Sequence, residues 1–412
     1  MWEAGRTDAA PQGMTGKYTK AFDMDHTLFT PLQIRGVLLR NRIVASPMLT
    51  YVANGGYVND WHFVHLGKIA SGGAGLVFME STKIDPRGCS TARDAGIWKD
   101  DFVPSLKRIA DLIRSQGAVP GIQFGHSGRK ARQSLPWEGR APMDFCPGVD
   151  HGEPWELIGP SAIAHTAQYA VPRQMTQADI DENLQAWGEA ARRADQAGFD
   201  VLEIHGGHGY LVHQFLSAHS NRRTDAYGGS LENRMRLTTE IVRRVRQSWP
   251  DHKPLFFRAS AVDECGWTIE DSIALAKAIK VLGVDVIDCS SGGMGTAAIA
   301  ETALDYGYQV EYAQRIRAGA DVRTMAVGLI VHADQAEAIL RAGQADLIAL
   351  GRELLHNPNW PIDAAQKLGI ASPFGHIAPS YAYWLEKRSQ NPLITPSTWG
   401  ASRRSAGTQG GK

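Results

Sequence analysis

Sulfur is scarce in this chain. Four cysteines, Cys89, Cys146, Cys265 and Cys289, are spread over 412 residues without the short paired spacings of zinc or iron–sulfur sites. They are also too few for a disulfide framework, so a reducing, cytoplasmic setting is expected. An excess of one charge is missing too. Lys plus Arg and Asp plus Glu each total 43, so the formal net charge is zero and no sign asymmetry selects nucleic acid or an anionic membrane surface. A small molecule is the expected partner. Long apolar runs are absent: nothing approaches the roughly 20 residues that span a bilayer, and the opening MWEAGRTDAAPQGM lacks the apolar centre of a secretory signal. No membrane association is expected.

What is present is an alternation of short apolar runs with longer amphipathic segments. The runs are Arg42 to Met48, Gly75 to Ser81, Ala118 to His126, Asp200 to Gly206, Leu255 to Ala261, Val284 to Ser291, Thr324 to Leu329 and Asp346 to Gly351. Helical periodicity fills the gaps, as at Asp101 to Ser115, Thr176 to Ala197, Glu232 to Ser248, Thr268 to Leu282 and Ala333 to Ala342. Thr176 and Thr268 can cap helix starts, and Gly117, Gly198, Gly283 and Gly343 stand where a left-handed C-cap wants glycine.

Eight strand-then-helix units predict an α/β chain with a single (β/α)8 TIM barrel. An open sheet of this kind would carry a Gly-rich dinucleotide turn after its first strand, and none follows Arg42 to Met48. The expected plan is a polar, poorly ordered extension over residues 1–25, the barrel over 26–372, and a C-terminal extension over 373–412 whose Gly/Ser-rich end is without fixed structure. The Pro- and Gly-rich stretch Arg132 to Met175, with Trp137 and Trp155, is expected as a long loop over the mouth after strand three.

The sharpest chemistry lies in DVLEIHGGHGYLVHQF. The apolar run delivers His205, His208 and Tyr210 past a strand's C-terminal end, where such folds place reacting groups. Two imidazoles three residues apart can both donate to one carbonyl oxygen and stabilise an enolate. A metal pair or a structural pair is the alternative, although no carboxylate accompanies them in a helical metal motif, and no metal is expected. Tyr210 can give a proton at neutral pH; packing at the barrel rim is its alternative. Arg258 stands mid-strand in LFFRASA, where an unpaired guanidinium is costly. A bound anion is the expected explanation, with a salt bridge inside the barrel as the other.

The segment running on through SNRRTDAYGGSLENR closely resembles the signature of the Old Yellow Enzyme family of flavin-dependent ene-reductases, within it the thermophilic-like branch, and the likeness extends from about Leu28 to Leu368. The resemblance implies non-covalent FMN, reduced by NADPH or NADH, with Tyr210 as proton donor. It matches Gln123 in GIQFGHSGRK and Arg258 to ring-contacting residues, and Ser46, Pro47, Met48 and Leu49 to the flavin-contacting first strand. Ser81 is implied to face the flavin, and Tyr51 to line the substrate pocket. For the phosphate, the loops after strands seven and eight hold Gly328 and Gly351 with Arg352, glycines for close backbone approach and an arginine for its fork of donors.

Departures are visible as well. Leu49 replaces the branch's cysteine, Ala218 and His219 replace its proline and leucine, and the ending SYAYWLEKRSQNP offers Arg388 as a candidate for the branch's intersubunit arginine. A hairpin within LFTPLQIRGVLLRNRI is implied to plug the opposite end, and a homo-oligomer is implied. The expected reaction is reduction of the C=C bond of an α,β-unsaturated carbonyl or related activated alkene. Flavin-dependent oxidation, N-demethylation or nitro reduction on the same barrel, a flavin-binding protein without physiological turnover, and a metal-dependent barrel hydrolase are the alternatives.

Overall fold

Chains of β-branched and aromatic residues flanked by helices bury best as parallel strands, and all eight apolar runs become barrel strands. A computed structural model describes residues 26–144, 156–295 and 305–391. The expected unstructured ends, Cys146 and Trp155 lie outside the described residues. A hairpin of β1 (Leu32–Ile34) and β2 (Val37–Leu39) precedes the barrel. The barrel strands are β3 (Ile43–Ala45), β4 (Leu76–Lys83), β5 (Val119–Gly125), β8 (Val201–Gly206), β9 (Leu255–Ser260), β10 (Val286–Ser290), β11 (Arg323–Ala326) and β12 (Leu347–Leu350). All pair in parallel and in chain order, and β12 closes on β3. A two-strand pair, β6 (Ile158–Gly159) and β7 (Arg173–Gln174), gives the long loop after β5 some order of its own.

Two strands end three residues earlier than the apolar runs suggest. β3 stops at Ala45 because Pro47 has no N–H for a ladder. β11 stops at Ala326 because Gly328 and Leu329 take left-handed φ values of 115° and 50°, which a strand does not hold.

The helices around the barrel are α1 (Asp60–Ser71), α2 (Val103–Ser115), α3 (Gln177–Gln196), α4 (Leu211–Leu216), α5 (Leu231–Ser248), α6 (Ile269–Lys280), α7 (Val310–Ala320), α8 (Ala333–Arg341), α9 (Arg352–His356) and α10 (Trp360–Lys367); α11 (Pro379–Ser389) lies beyond them. Thr176 and Thr268 close capping boxes on α3 and α6. Gly198 and Gly283 take left-handed φ of 83° and 104° just past α3 and α6, the conformation that admits glycine without strain. One apolar layer fills the space between strands and helices. A second fills the barrel itself, with Phe78, Val201, Phe256 and Met325 packed against Ile34 and Leu39 of the hairpin. The hairpin therefore floors the barrel, and Arg35 at its turn reaches Asp285 just before β10. Among the described residues no helix is long and apolar enough to cross a membrane.

Candidate active site

At the other end, where the strands finish, lies a cavity of about 420 Å³. His205, His208, Tyr210, Gln123 and Arg258 all line it. So do Pro47, Met48, Leu49, Tyr51 and Ser81, which come from the loops and strands on its other side. Parallel register brings them together: His205 pairs with Arg258, Arg258 with Asp288, and Gln123 with Glu203 across neighbouring strands.

The histidines are held by backbone and hydroxyl partners. Gly207 N donates to His205 Nδ1 at 3.4 Å, and His208 N donates to Ser260 Oγ at 2.8 Å. His208 takes a left-handed φ of 54°, as does cavity-lining Tyr51 at 56°, conformations that cost energy and persist only where the surroundings enforce them. His205 Nε2 and His208 Nδ1 lie 3.4 Å apart, so the two rings present nitrogens to one point. Burial drives both imidazoles well below their ordinary pKa, with His208 and then Arg258 adding to the effect on His205, and Arg258 adding to that on His208. Both rings are neutral at neutral pH, the state in which each can donate one hydrogen bond without carrying a charge.

Arg258 corrects one expectation. Its guanidinium is not unpaired: Nη1 donates to Asp288 Oδ2, a carboxylate with no exposure. A bound anion is therefore not needed to explain a buried cation in this strand. The pair sits beside Glu203, whose Oε1 accepts from Gln123 Nε2 at 2.8 Å. Burial, and next the charge of Asp288, push the Glu203 carboxyl up to about 8. The layer under the cavity thus holds Arg258 and Asp288 in contact, with a carboxylic acid orienting Gln123.

Tyr210 stands beside His205, ring centroids 5.0 Å apart. Two ammonium groups flank its ring, Lys83 Nζ at 5.3 Å and Lys130 Nζ at 5.5 Å from the centroid. Lys83 is wholly buried, 3.6 Å from Asp94, and donates to Ser81 Oγ at 3.3 Å. Lys130 is held by the carbonyls of His208 and Gly293, both at 3.0 Å, and burial lowers it to about 8. The Tyr51 loop is pinned by Glu80, which accepts from Thr50 N at 2.8 Å and Thr50 Oγ1 at 2.6 Å.

The long loop after β5 brings Pro136, Trp137 and Arg140 to the cavity edge, where Trp137 meets Tyr51 edge-on at 6.0 Å. Gly328, Gly351 and Arg352 stand at the same end, after β11 and β12, but outside the cavity lining. Gly351 abuts the lining: a Cβ there would stand 3.0 Å from Met48 Sδ. The Arg352 charge acts on Tyr308, which lies against Gly328. Arg388 is exposed in the last turn of α11 and does not line the cavity. His219 is exposed; Asp225 pairs with Arg223, and the Arg234 guanidinium binds the carbonyls of Leu216 and Gly229.

Sequence reasoning missed Glu203, Asp288, Glu80, Lys83 and Lys130. The signal for the first two was there: each is a charged residue inside an apolar strand run, as Arg258 is, and three such charges imply partners for one another. The fit to a flavin can be judged from the groups themselves. Ser46 Oγ is buried without a hydrogen-bond partner, Gln123 and Arg258 supply donors at the cavity wall, and Gly351 leaves backbone open to close approach. These residues fit FMN.

Comparisons agree. The profile of the NADH:flavin oxidoreductase / NADH oxidase family matches residues 27–370. An NADPH dehydrogenase of Geobacillus sp. (strain WCH70) is 46% identical over 350 residues, 84% of this chain and 96% of that protein. A 2-naphthoyl-CoA reductase complex superposes with a TM-score of 0.74 at 28% identity, covering 83% of this chain and 52% of that one, so this chain spans about half its length. Morphinone reductase, at 24% identity and a TM-score of 0.70 over 87% of this chain and 93% of its own, shows the same fold. With its closed barrel, its paired histidines and a family match that spans the strands and the site alike, the chain belongs to the NADH:flavin oxidoreductase / NADH oxidase family, the Old Yellow Enzyme family, and is an FMN-dependent oxidoreductase.

Proposed function

We propose that the protein reduces the C=C bond of α,β-unsaturated carbonyls or related activated alkenes, with NADPH as reductant and NADH as the second candidate. The observation that carries this reading is the approach of His205 Nε2 and His208 Nδ1 to 3.4 Å at the wall of the cavity that Tyr210 also lines. The name of the Geobacillus relative supports NADPH.

Ser46, Pro47, Met48, Leu49, Ser81, Gln123 and Arg258 would hold the isoalloxazine, and Gly328, Gly351 and Arg352 the phosphate. Bound FMN supplies the hydride that the protein itself has no group to give. His205 and His208, both neutral, hold the substrate's carbonyl oxygen and stabilise the negative charge that grows on it as the β-carbon is reduced. Tyr210 gives its phenolic proton to the α-carbon. Lys83 and Lys130 stand beside the ring and fix its place next to His205. Tyr51 and Trp137 meet edge-on at the rim, where the substrate would enter.

The test is a pair of measurements on FMN-loaded protein. His208→Ala is expected to weaken a phenolic charge-transfer ligand about 10- to 100-fold, and unchanged binding would reject its role. Turnover with cyclohexenone, a nitroaromatic and an N-methyl amine in parallel separates alkene reduction from the other flavin chemistries; no turnover of cyclohexenone would sink the reading.

A further inference from the structure

Two neutral histidines can both act as donors, but the hydrogen bonds around this pair allow two arrangements. Gly207 N–H occupies His205 Nδ1, so the His205 proton sits on Nε2 and points at His208 Nδ1. His208 Nε2 lies 2.8 Å from Ser290 Oγ. Ser290 Oγ in turn lies 3.4 Å from Gln309 Oε1, and that oxygen is fixed as an acceptor because Gln309 Nε2 donates to Val327 O at 3.2 Å while Ser291 Oγ donates to Oε1 at 2.7 Å. Ser290 and Gln309 are both buried, so water does not compete for these bonds.

With no ligand oxygen between the rings, the donors run in one direction: Gly207 to His205, His205 to His208, His208 Nε2–H to Ser290, and Ser290 to Gln309. His208 Nδ1 is then an acceptor and cannot hold a substrate oxygen. Turning the Ser290 hydroxyl from Gln309 to His208 Nε2 gives up the last link and reverses the one before it. The His208 proton then sits on Nδ1, and both His205 Nε2–H and His208 Nδ1–H face the same point in the cavity. The 2.8 Å bond between His208 Nε2 and Ser290 Oγ is kept with its direction reversed, and only the long 3.4 Å contact to Gln309 is given up, so the second arrangement is favoured once an oxygen accepts from both rings. Ser260, Ser290's neighbour in the β9–β10 register, holds the His208 backbone and leaves Ser290 in charge of the ring.

We propose that Ser290 is a positioning residue that selects the His208 tautomer, so that the pair becomes a two-donor clamp only when a carbonyl or phenolate oxygen enters. This rests on the reading of His205 and His208 as the oxygen clamp. The test uses FMN-loaded protein labelled with 15N-histidine, with His208 assigned by its loss in His208→Ala, and p-hydroxybenzaldehyde as probe. In the native protein the probe is expected to bring the His208 proton to Nδ1. In Ser290→Ala the proton stays on Nε2 or divides between the two nitrogens, and the probe's Kd rises about tenfold. Ser290→Thr, which keeps the hydroxyl, restores both. A His208 proton wholly on Nδ1 in the Ser290→Ala complex, or an unchanged Kd there, overturns the serine's role, whereas unchanged binding in His208→Ala overturns the clamp itself.

Discussion

The barrel has two hollow ends, and the larger is not the one proposed to hold the flavin. At the floor, a cavity of about 530 Å³ opens where β10, β11 and β12 begin, lined by Arg35, Asp285, Arg317, Asp346 and their neighbours. There the charges answer one another: Arg35 Nε to Asp285 at 2.7 Å, Arg317 Nε to Asp346 at 3.0 Å, Lys280 Nζ to Asp321 Oδ2 at 2.9 Å. At the mouth the cavity is smaller, yet its lining holds neutral histidines whose nitrogens converge and residues in left-handed conformations, and Ser46 Oγ, just before the lining residue Pro47, is buried without a partner. Ion pairs satisfied internally have little left for a ligand, whereas neutral rings bonded to each other, to a hydroxyl and to a backbone N–H can exchange those bonds for one. Convergent neutral donors, rather than volume, distinguish the end where the substrate is proposed to bind.

Four substitutions or conditions sharpen that contrast. Tyr210→Phe, at the mouth, is expected to slow alkene reduction by roughly 10²- to 10⁴-fold while NADPH-driven reduction of the flavin continues; stopped-flow measurement of the two half-reactions checks it, and equal loss in both would remove Tyr210 from the proton step. The neutral histidines give the mouth an acid liability. His205 and His208 bind protons near 6.5 when unfolded but stay neutral when folded, so stability holds above that pH and falls as the pH drops below it. Between pH 7.5 and 5.5 their contribution should fall by roughly 2–3 kcal/mol together, and urea midpoints for the His205→Gln/His208→Gln protein should be flatter across that range. The floor should behave in the opposite way. Arg35→Ala breaks the Asp285 pair and the bond to Asp251 O, costing about 1–2 kcal/mol in a denaturant melt, with alkene turnover unchanged. A turnover defect in Arg35→Ala would mean that the two ends are coupled.

Much of the fold was open to reading because it rests on local pattern. Eight apolar runs, the glycine after α3 and the threonine before α6 are statements about neighbours a few residues apart, and each was where the pattern placed it. The two ends misjudged, after Ala45 and Ala326, failed where a proline or a left-handed glycine ended a ladder within an apolar run. His205, His208 and Tyr210 were legible for the same reason, since one strand end carries all three. Arg258 was legible only by half: its cost in an apolar strand was plain, but Asp288, 30 residues on, was not seen as its partner. Lys83, Lys130 and Ser290 were invisible because each reaches the site from a different strand or loop.

By itself, the order of residues decided the strand count, the helix caps and the chemical inventory of the fourth barrel strand, because hydrophobic period and backbone preference act over one or two turns of chain. Tertiary structure alone decided which charges neutralise each other and which nitrogens converge. Parallel pairing sets Arg258 beside Asp288 and Gln123 beside Glu203 through a register that no local pattern states. A proton's place on an imidazole depends on what the opposite nitrogen meets, and at His208 that partner comes from 82 residues away.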